Sequence, residues 1–212
     1  MRPIKLGPNS PITALTTAFN AQTFNSTGSA KAPTTTATTD GLAHTVTLTA
    51  PSQATLAGVT FTIVGTDANG HDQTETGLVG PASGATVTST KYFKTISTIK
   101  PSATMGVLVV SVGISALSLS QTIPLDSRSV ASAGMIVAVT GTINYTVNET
   151  FADVFDNNVI PPFIAITALT SKSANTLGSA TVSATGVQLL VNSVTNSATY
   201  TIYLNQASSA LG

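Results

Sequence analysis

From His44 onward apolar and polar residues alternate. In 44–50, Val46 and Leu48 stand between Thr45, Thr47 and Thr49; in 59–64, Val59, Phe61 and Ile63 flank Thr60 and Thr62. Successive side chains of a strand point to opposite faces, so period two predicts half-buried strands, apolar side inward and threonine outward. Asn69-Gly70 suits the positive φ values of a tight hairpin turn, and 73–79 reads as the returning strand. After a turn at 81–84, strands are expected over 86–94, 95–99, 107–112 and 117–123. They make a first antiparallel unit that ends near Pro124.

A second unit follows. Met135, Val137, Val139, Gly141, Ile143, Tyr145, Val147 and Phe151 fall on odd positions, and Thr140, Thr142, Asn144, Thr146, Asn148 and Thr150 on even ones. One register held from 135 to 151 is long for a strand of typical length ~5–6, so a bend or bulge is expected at Gly141. Strands are expected at 163–169 and 177–184. Residues 187–194 and 198–204 read as a terminal hairpin across 195–197. No sustained helical stripe appears, and the usual helix formers are scarce. The predicted class is all-β: two tandem antiparallel β-sandwich or jelly-roll-like units, 41–124 and 125–212. Residues 1–40 hold no period and are interrupted by Pro3, Pro8, Pro11 and Pro33. They read as an extended N-terminal arm that gains order by lying on a neighbouring surface.

Composition gives this pattern a meaning. Of 212 residues only 8% are charged, against roughly 25% in an average soluble protein. Thr (38) and Ser (23) fill the gap, while 42% hydrophobic residues exclude a core-poor disordered chain. Charged residues normally guard sheet edges against other chains. Uncharged hydroxyls cost less to desolvate than ions, so threonine-lined faces suit burial in an assembly. Eight basic residues balance eight acidic ones, leaving no clustered positive charge for nucleic acid. There is no Cys, hence no disulfide framework or thiolate site. Met1-Arg2-Pro3-Ile4-Lys5 leads into no apolar h-region, so no secretory signal is expected. The apolar stretches 105–120 and 135–140 fall short of the ~18–20 residues of a membrane helix.

Candidate chemistry is sparse. Asp67, Asn69 and Asp72 with Glu75 surround a glycine turn and offer oxygen ligands for Ca²⁺, but the spacing departs from an EF-hand and a solvated hairpin tip is preferred. Glu149, Asp153 and Asp156 crowd eight residues without a nearby nucleophile, Arg or His. His44 and His71 are too far apart in sequence, and without Cys, to read as a metal pair. Ser127 and Ser129 lack a nucleophile elbow. Asn25, Asn144 and Asn148 sit in Asn-x-Ser/Thr triplets of the kind a Thr-rich chain produces by chance. No catalytic residue, cofactor or metal is assigned. Lys91, Lys94 and Lys100 flank Tyr92 and Phe93, too few for phosphate binding. On a strand, Phe93 turns to the core and Tyr92 outward, which makes Tyr92, Lys91, Lys94 and the turn residue Asn69 the candidate contact residues.

Several segments resemble a family of tailed-bacteriophage virion structural proteins. They are Gly58-Val59-Thr60-Phe61-Thr62-Ile63-Val64-Gly65-Thr66-Asp67-Ala68-Asn69-Gly70, continuing Gln73-Thr74-Glu75-Thr76; Gly84-Ala85-Thr86-Val87-Thr88-Ser89-Thr90-Lys91-Tyr92-Phe93-Lys94-Thr95; Ile143-Asn144-Tyr145-Thr146-Val147 with Phe151-Ala152-Asp153-Val154-Phe155; and Tyr200-Thr201-Ile202-Tyr203-Leu204. The likeness covers roughly 44–205; residues 1–40 lie outside it. It implies a β-rich capsid-decoration, neck or tail subunit without enzymatic activity, assembled in the host cytoplasm into the virion. Its partners would be itself and other virion proteins such as capsid, portal or tail subunits, with no nucleic acid and no membrane. The competing readings are a surface adhesin or carbohydrate-binding module, and a depolymerase whose carboxylate pair would have to be Glu149 and Asp153.

Overall fold

The computed structural model describes residues 2–23, 29–52, 55–105, 108–126, 132–156, 161–195 and 197–206. The first eight strands are β1 (Arg2–Asn9), β2 (Ala21–Thr23), β3 (Ala43–Thr49), β4 (Thr60–Thr66), β5 (Asp72–Val79), β6 (Thr86–Phe93), β7 (Thr95–Pro101) and β8 (Val109–Leu119). Then come β9 (Ile123–Pro124), β10 (Gly134–Thr140), β11 (Ile143–Thr150), β12 (Ile164–Ala165), β13 (Thr176–Ser179), β14 (Gly186–Val194) and β15 (Thr199–Gln206). The protein is all-β; among the described residues the one helical element is a 3-10 turn at Thr167–Leu169. The chain divides into a central unit, 14–118, and a terminal unit in which 1–13 join 119–212. These boundaries differ from the sequence-derived ones at 40 and 124, and the reason lies in the leader.

In the central unit β4 pairs antiparallel with β5 on one side and β7 on the other. A second sheet runs β8-β3-β6, with β2 against β8. The alternation predicted from sequence puts Phe61 and Ile63 of β4, Phe93 of β6, Ile96 of β7 and Val112 of β8 in the core. Threonine does not simply face water. Thr45 and Thr47 of β3 are buried, and the Thr45 hydroxyl bonds that of Ser115. Where the β3–β6 register slips between Thr45 and Thr47, the Ser89 hydroxyl accepts the Val46 N–H at 2.8 Å and donates to the Lys91 carbonyl at 2.8 Å. Short neutral side chains thus fill polar gaps in the ladder, where a buried unpaired group would be costly.

Residues 1–40 depart furthest from expectation. Among the described residues of this stretch, the backbone bonds to strands of the chain itself. Residues 2–6 of β1 pair in antiparallel register with β15, Ile4 opposite Leu204. Leu15 and Ile114 exchange bonds of 3.0 and 2.8 Å, Phe19 donates to the Val112 carbonyl at 3.0 Å, and Val112 donates to the Asn20 carbonyl at 3.2 Å. Further on, Lys31 and Ile99 exchange bonds of 2.9 Å each, and Ile96 donates to the Thr36 carbonyl at 2.7 Å. The leader therefore runs along β15, β8 and β7 in turn. Gly113 marks the closest approach: a Cβ there would lie 2.1 Å from the Leu15 carbonyl oxygen. Pro3 and Pro8 break no ladder, because β1 is an edge strand and proline is tolerated there.

The terminal unit has one sheet in the order β1-β15-β10-β13 and another in which β12, β11 and β14 are successive neighbours with β9 on β14. Met135, Val137, Tyr200 and Ile202 of the first, and Tyr145, Val147 and Leu189 of the second, are fully or almost fully buried. The long register 135–151 is real, but it is shared by two strands in different sheets. Gly141, with φ +78°, carries the chain across. The expected terminal hairpin is corrected: β14 pairs with β11 and β15 with β10 and β1, so the chain changes sheet between Val194 and Thr199 too. The two crossings lie together, with Thr195 donating to the Thr142 carbonyl at 3.0 Å. Two expected strands also shorten. The segment 163–169 becomes β12 and the 3-10 turn, and 177–184 becomes β13.

Candidate functional site

The contact residues expected from sequence lie in the central unit, at the seam between β5 and β6. These strands are edges of different sheets and are joined by side chains instead of a ladder. The buried Glu75 carboxylate accepts the Thr90 and Lys91 N–H groups, both at 2.9 Å, and the Thr90 hydroxyl at 3.1 Å. Gln73 donates to the Tyr92 carbonyl and the Lys91 ammonium to the Thr74 carbonyl, both at 2.7 Å. Lys91 and Tyr92 are thus brought together, half-buried, in the stitching of the unit; burial pushes the Tyr92 phenol above its ordinary value. Lys94 stands at the corner where β6 becomes β7, its N–H donated to the Thr66 carbonyl at 2.9 Å. Asn69 is exposed in the turn that follows β4.

Like Glu75, three more of the carboxylates singled out by sequence, Asp67, Glu149 and Asp153, hold backbone. Asp67 accepts the N–H groups of Asn69 and His71 at 2.8 and 2.9 Å, an Asx-type turn. Glu149 accepts the N–H and hydroxyl of Thr181, and Asp153 accepts the Phe155 N–H at 2.9 Å. His44 is buried, its ring nitrogens 2.8 Å from an Asp40 carboxylate oxygen and 3.0 Å from the Ser115 carbonyl. Among the described residues no three His, Cys, Asp or Glu side chains gather as metal ligands. Ser127, Ser129 and Asn25 lie outside the described residues.

The sequence reading missed a surface on the terminal unit. Lys5 of β1 is opposite Tyr203 of β15, Tyr203 is opposite Ile136 of β10, and Ile136 is opposite Leu177 of β13. One row therefore crosses all four strands on the outward side of the sheet. Ile136 and Tyr203 are each 46% exposed and Leu177 is 72% exposed. With Pro3 and Asn205 they line a groove of about 510 Å³. Its charged lining residue is Lys5, whose ammonium lies 5.8 Å from the Tyr203 ring centre, within cation–π range. Ile136 was the available clue: it is apolar at an even position, out of phase with Met135 and Val137.

The same unit carries an apolar projection at 151–156, after β11. Phe151 is half-exposed and Phe155 is 75% exposed. Its backbone is pinned on several sides: the Thr185 hydroxyl donates to the Ala152 carbonyl, Ala152 donates to the Thr150 hydroxyl at 3.2 Å, and Asp153 caps Phe155 as described. Val154 packs onto Gly186, where a Cβ would come within 2.8 Å of it. No family model, curated protein or solved structure matches this chain.

Proposed function

We propose that this chain is a non-enzymatic structural subunit of a bacteriophage particle, a capsid-decoration, neck or tail component that packs against copies of itself and other virion proteins. The row Tyr203–Ile136–Leu177 carries the reading. Single exposed apolar side chains are ordinary, but a contiguous apolar patch marks an interaction site. Fully burying an exposed side chain of this kind is worth ~1.5–3 kcal/mol, of which about half is still to be gained at Ile136 and Tyr203, each 46% exposed. A net charge of zero adds no long-range repulsion between copies. The virion assignment rests on the likeness in 58–76 and 84–95. The engagement of Glu149 and Asp153 with backbone supports a role without catalysis.

Two measurements test this. Sedimentation velocity of the full chain should show concentration-dependent association. Mass spectrometry of particles purified from a phage lysate should find the chain at a fixed copy number that matches the particle's rotational symmetry. A chain that stays monomeric throughout and is absent from particles refutes the proposal.

A further inference from the structure

The groove and the projection at 151–156 complement each other. The groove is an apolar slot whose lining charge is the cation Lys5; the projection is an apolar tip, Phe155, between the anions Asp153 and Asp156. The groove lies on the outer face of the sheet β1-β15-β10-β13, whereas the projection follows β11 of the other sheet. The tip is held out in advance, through Val154 on Gly186 and the Asp153 cap, so little ordering entropy is spent when it docks.

We infer that Phe155 of one copy inserts into the groove of a second copy, between Tyr203, Ile136 and Leu177, with Asp153 and Asp156 facing Lys5. This rests on the self-association proposed above and names its surfaces. The contact is heterologous: each copy offers one tip and one groove, so association continues into a ring or an open filament instead of stopping at a two-fold dimer. One row across four strands, ~19 Å long at ~4.8 Å per strand and ~7 Å wide at two residues of rise, covers on the order of 130 Å², well below the ~800 Å² per partner of a stable pairwise complex. Each contact is therefore weak alone and gains from repetition around a closed assembly.

The test uses full-length chains. Phe155→Ser removes the tip, and Ile136→Thr with Leu177→Thr removes the groove; all three sites are exposed, and far-UV circular dichroism checks the fold. Wild type should grow beyond dimer with concentration. Each variant alone should remain monomeric, and an equimolar mixture of the two should regain association but stop at dimer. Because the chain has no cysteine, Asp156→Cys on one copy and Lys5→Cys on another, which leave Phe155 and the apolar groove intact, should also form a mixed disulfide of dimer mass under oxidation by oxygen in preference to either homodisulfide. If Phe155→Ser associates like wild type, or the mixture stays monomeric with no mixed disulfide, the tip-in-groove contact is wrong while self-association stands. If wild type itself never associates, the self-association proposal fails and this inference with it.

Discussion

Phe19→Ala separates a leader that belongs to the fold from one that merely trails. Phe19 lies in a segment without period, between Thr17 and Asn20, yet its exposure is 0%. Its N–H is donated to Val112, and the next residue accepts the Val112 N–H. Truncating a fully buried phenylalanine removes its transfer energy and leaves a cavity, a cost of about 3–5 kcal/mol. The central unit spans 14–118, or 105 residues, and a domain of that size loses roughly 4 °C of melting temperature per kcal/mol. The expected drop is therefore about 12–20 °C by calorimetry. Amide exchange supplies a local readout. The Val112 and Ile114 N–H groups, held by Asn20 and Leu15, should lose protection before those of β4. Leu15→Ala is the control: its side chain is largely exposed and its backbone bonds survive truncation, so it should cost under ~1 kcal/mol. If Phe19→Ala melts with the wild type, residues 14–23 are not part of the core and the account of the leader collapses.

Two more outcomes follow from the seam and from the tyrosines. Glu75→Gln keeps the shape but replaces one acceptor oxygen with a donor facing backbone N–H groups; it should cost about 1–3 kcal/mol, and an unchanged urea midpoint would show that the β5–β6 seam contributes nothing. Burial raises the Tyr92 and Tyr145 phenols above 10.0, a hydrogen bond with Thr176 partly opposing it at Tyr145. A folded-state value above the unfolded one gives stability that is complete below pH 10 and is lost as pH rises through the raised values. Tyrosinate absorbance compared between the wild type and the Tyr92→Phe and Tyr145→Phe variants should show that each substitution removes a late-titrating share, with unfolding setting in above pH 10; ordinary midpoints for both residues in the native state would contradict it.

The strands of the central unit were legible because each alternates over a half-buried surface: β3, β4 and β6 fall within a residue or so of their expected bounds. Partnership was not legible. Period two says which face is buried and nothing about which strand lies alongside, so 187–194 and 198–204 look like a hairpin although they belong to different sheets. The register across Gly141 hid a sheet switch for the same reason, since an odd-position pattern survives when a two-residue crossing preserves phase. The strands that the leader lies against were not legible, because the bonds described above are backbone bonds to β7, β8 and β15, which carry no side-chain pattern. Phe19 is one apolar residue in a polar stretch. Charged and aromatic residues cluster in sequence at Lys91 and Tyr92, away from the groove. The groove is built from Lys5, Ile136, Leu177 and Tyr203, four residues from four separated segments that only register brings together.

The pairing of Ile4 with Leu204 spans 200 positions and sets an order for biogenesis. At ~5–20 residues per second, a ribosome reaches β15 tens of seconds at the slow end after β1 has emerged. The 14–118 stretch can collapse during that interval from residues already made. The sheet β1-β15-β10-β13 cannot, and closing so long a loop is an intrinsically slow step. The face on which the groove forms is therefore completed after the 14–118 stretch, once β15 has been made. On the self-association proposed above, a contact face completed only after the 14–118 stretch has folded is protected from premature association on the ribosome, where many nascent copies crowd one message.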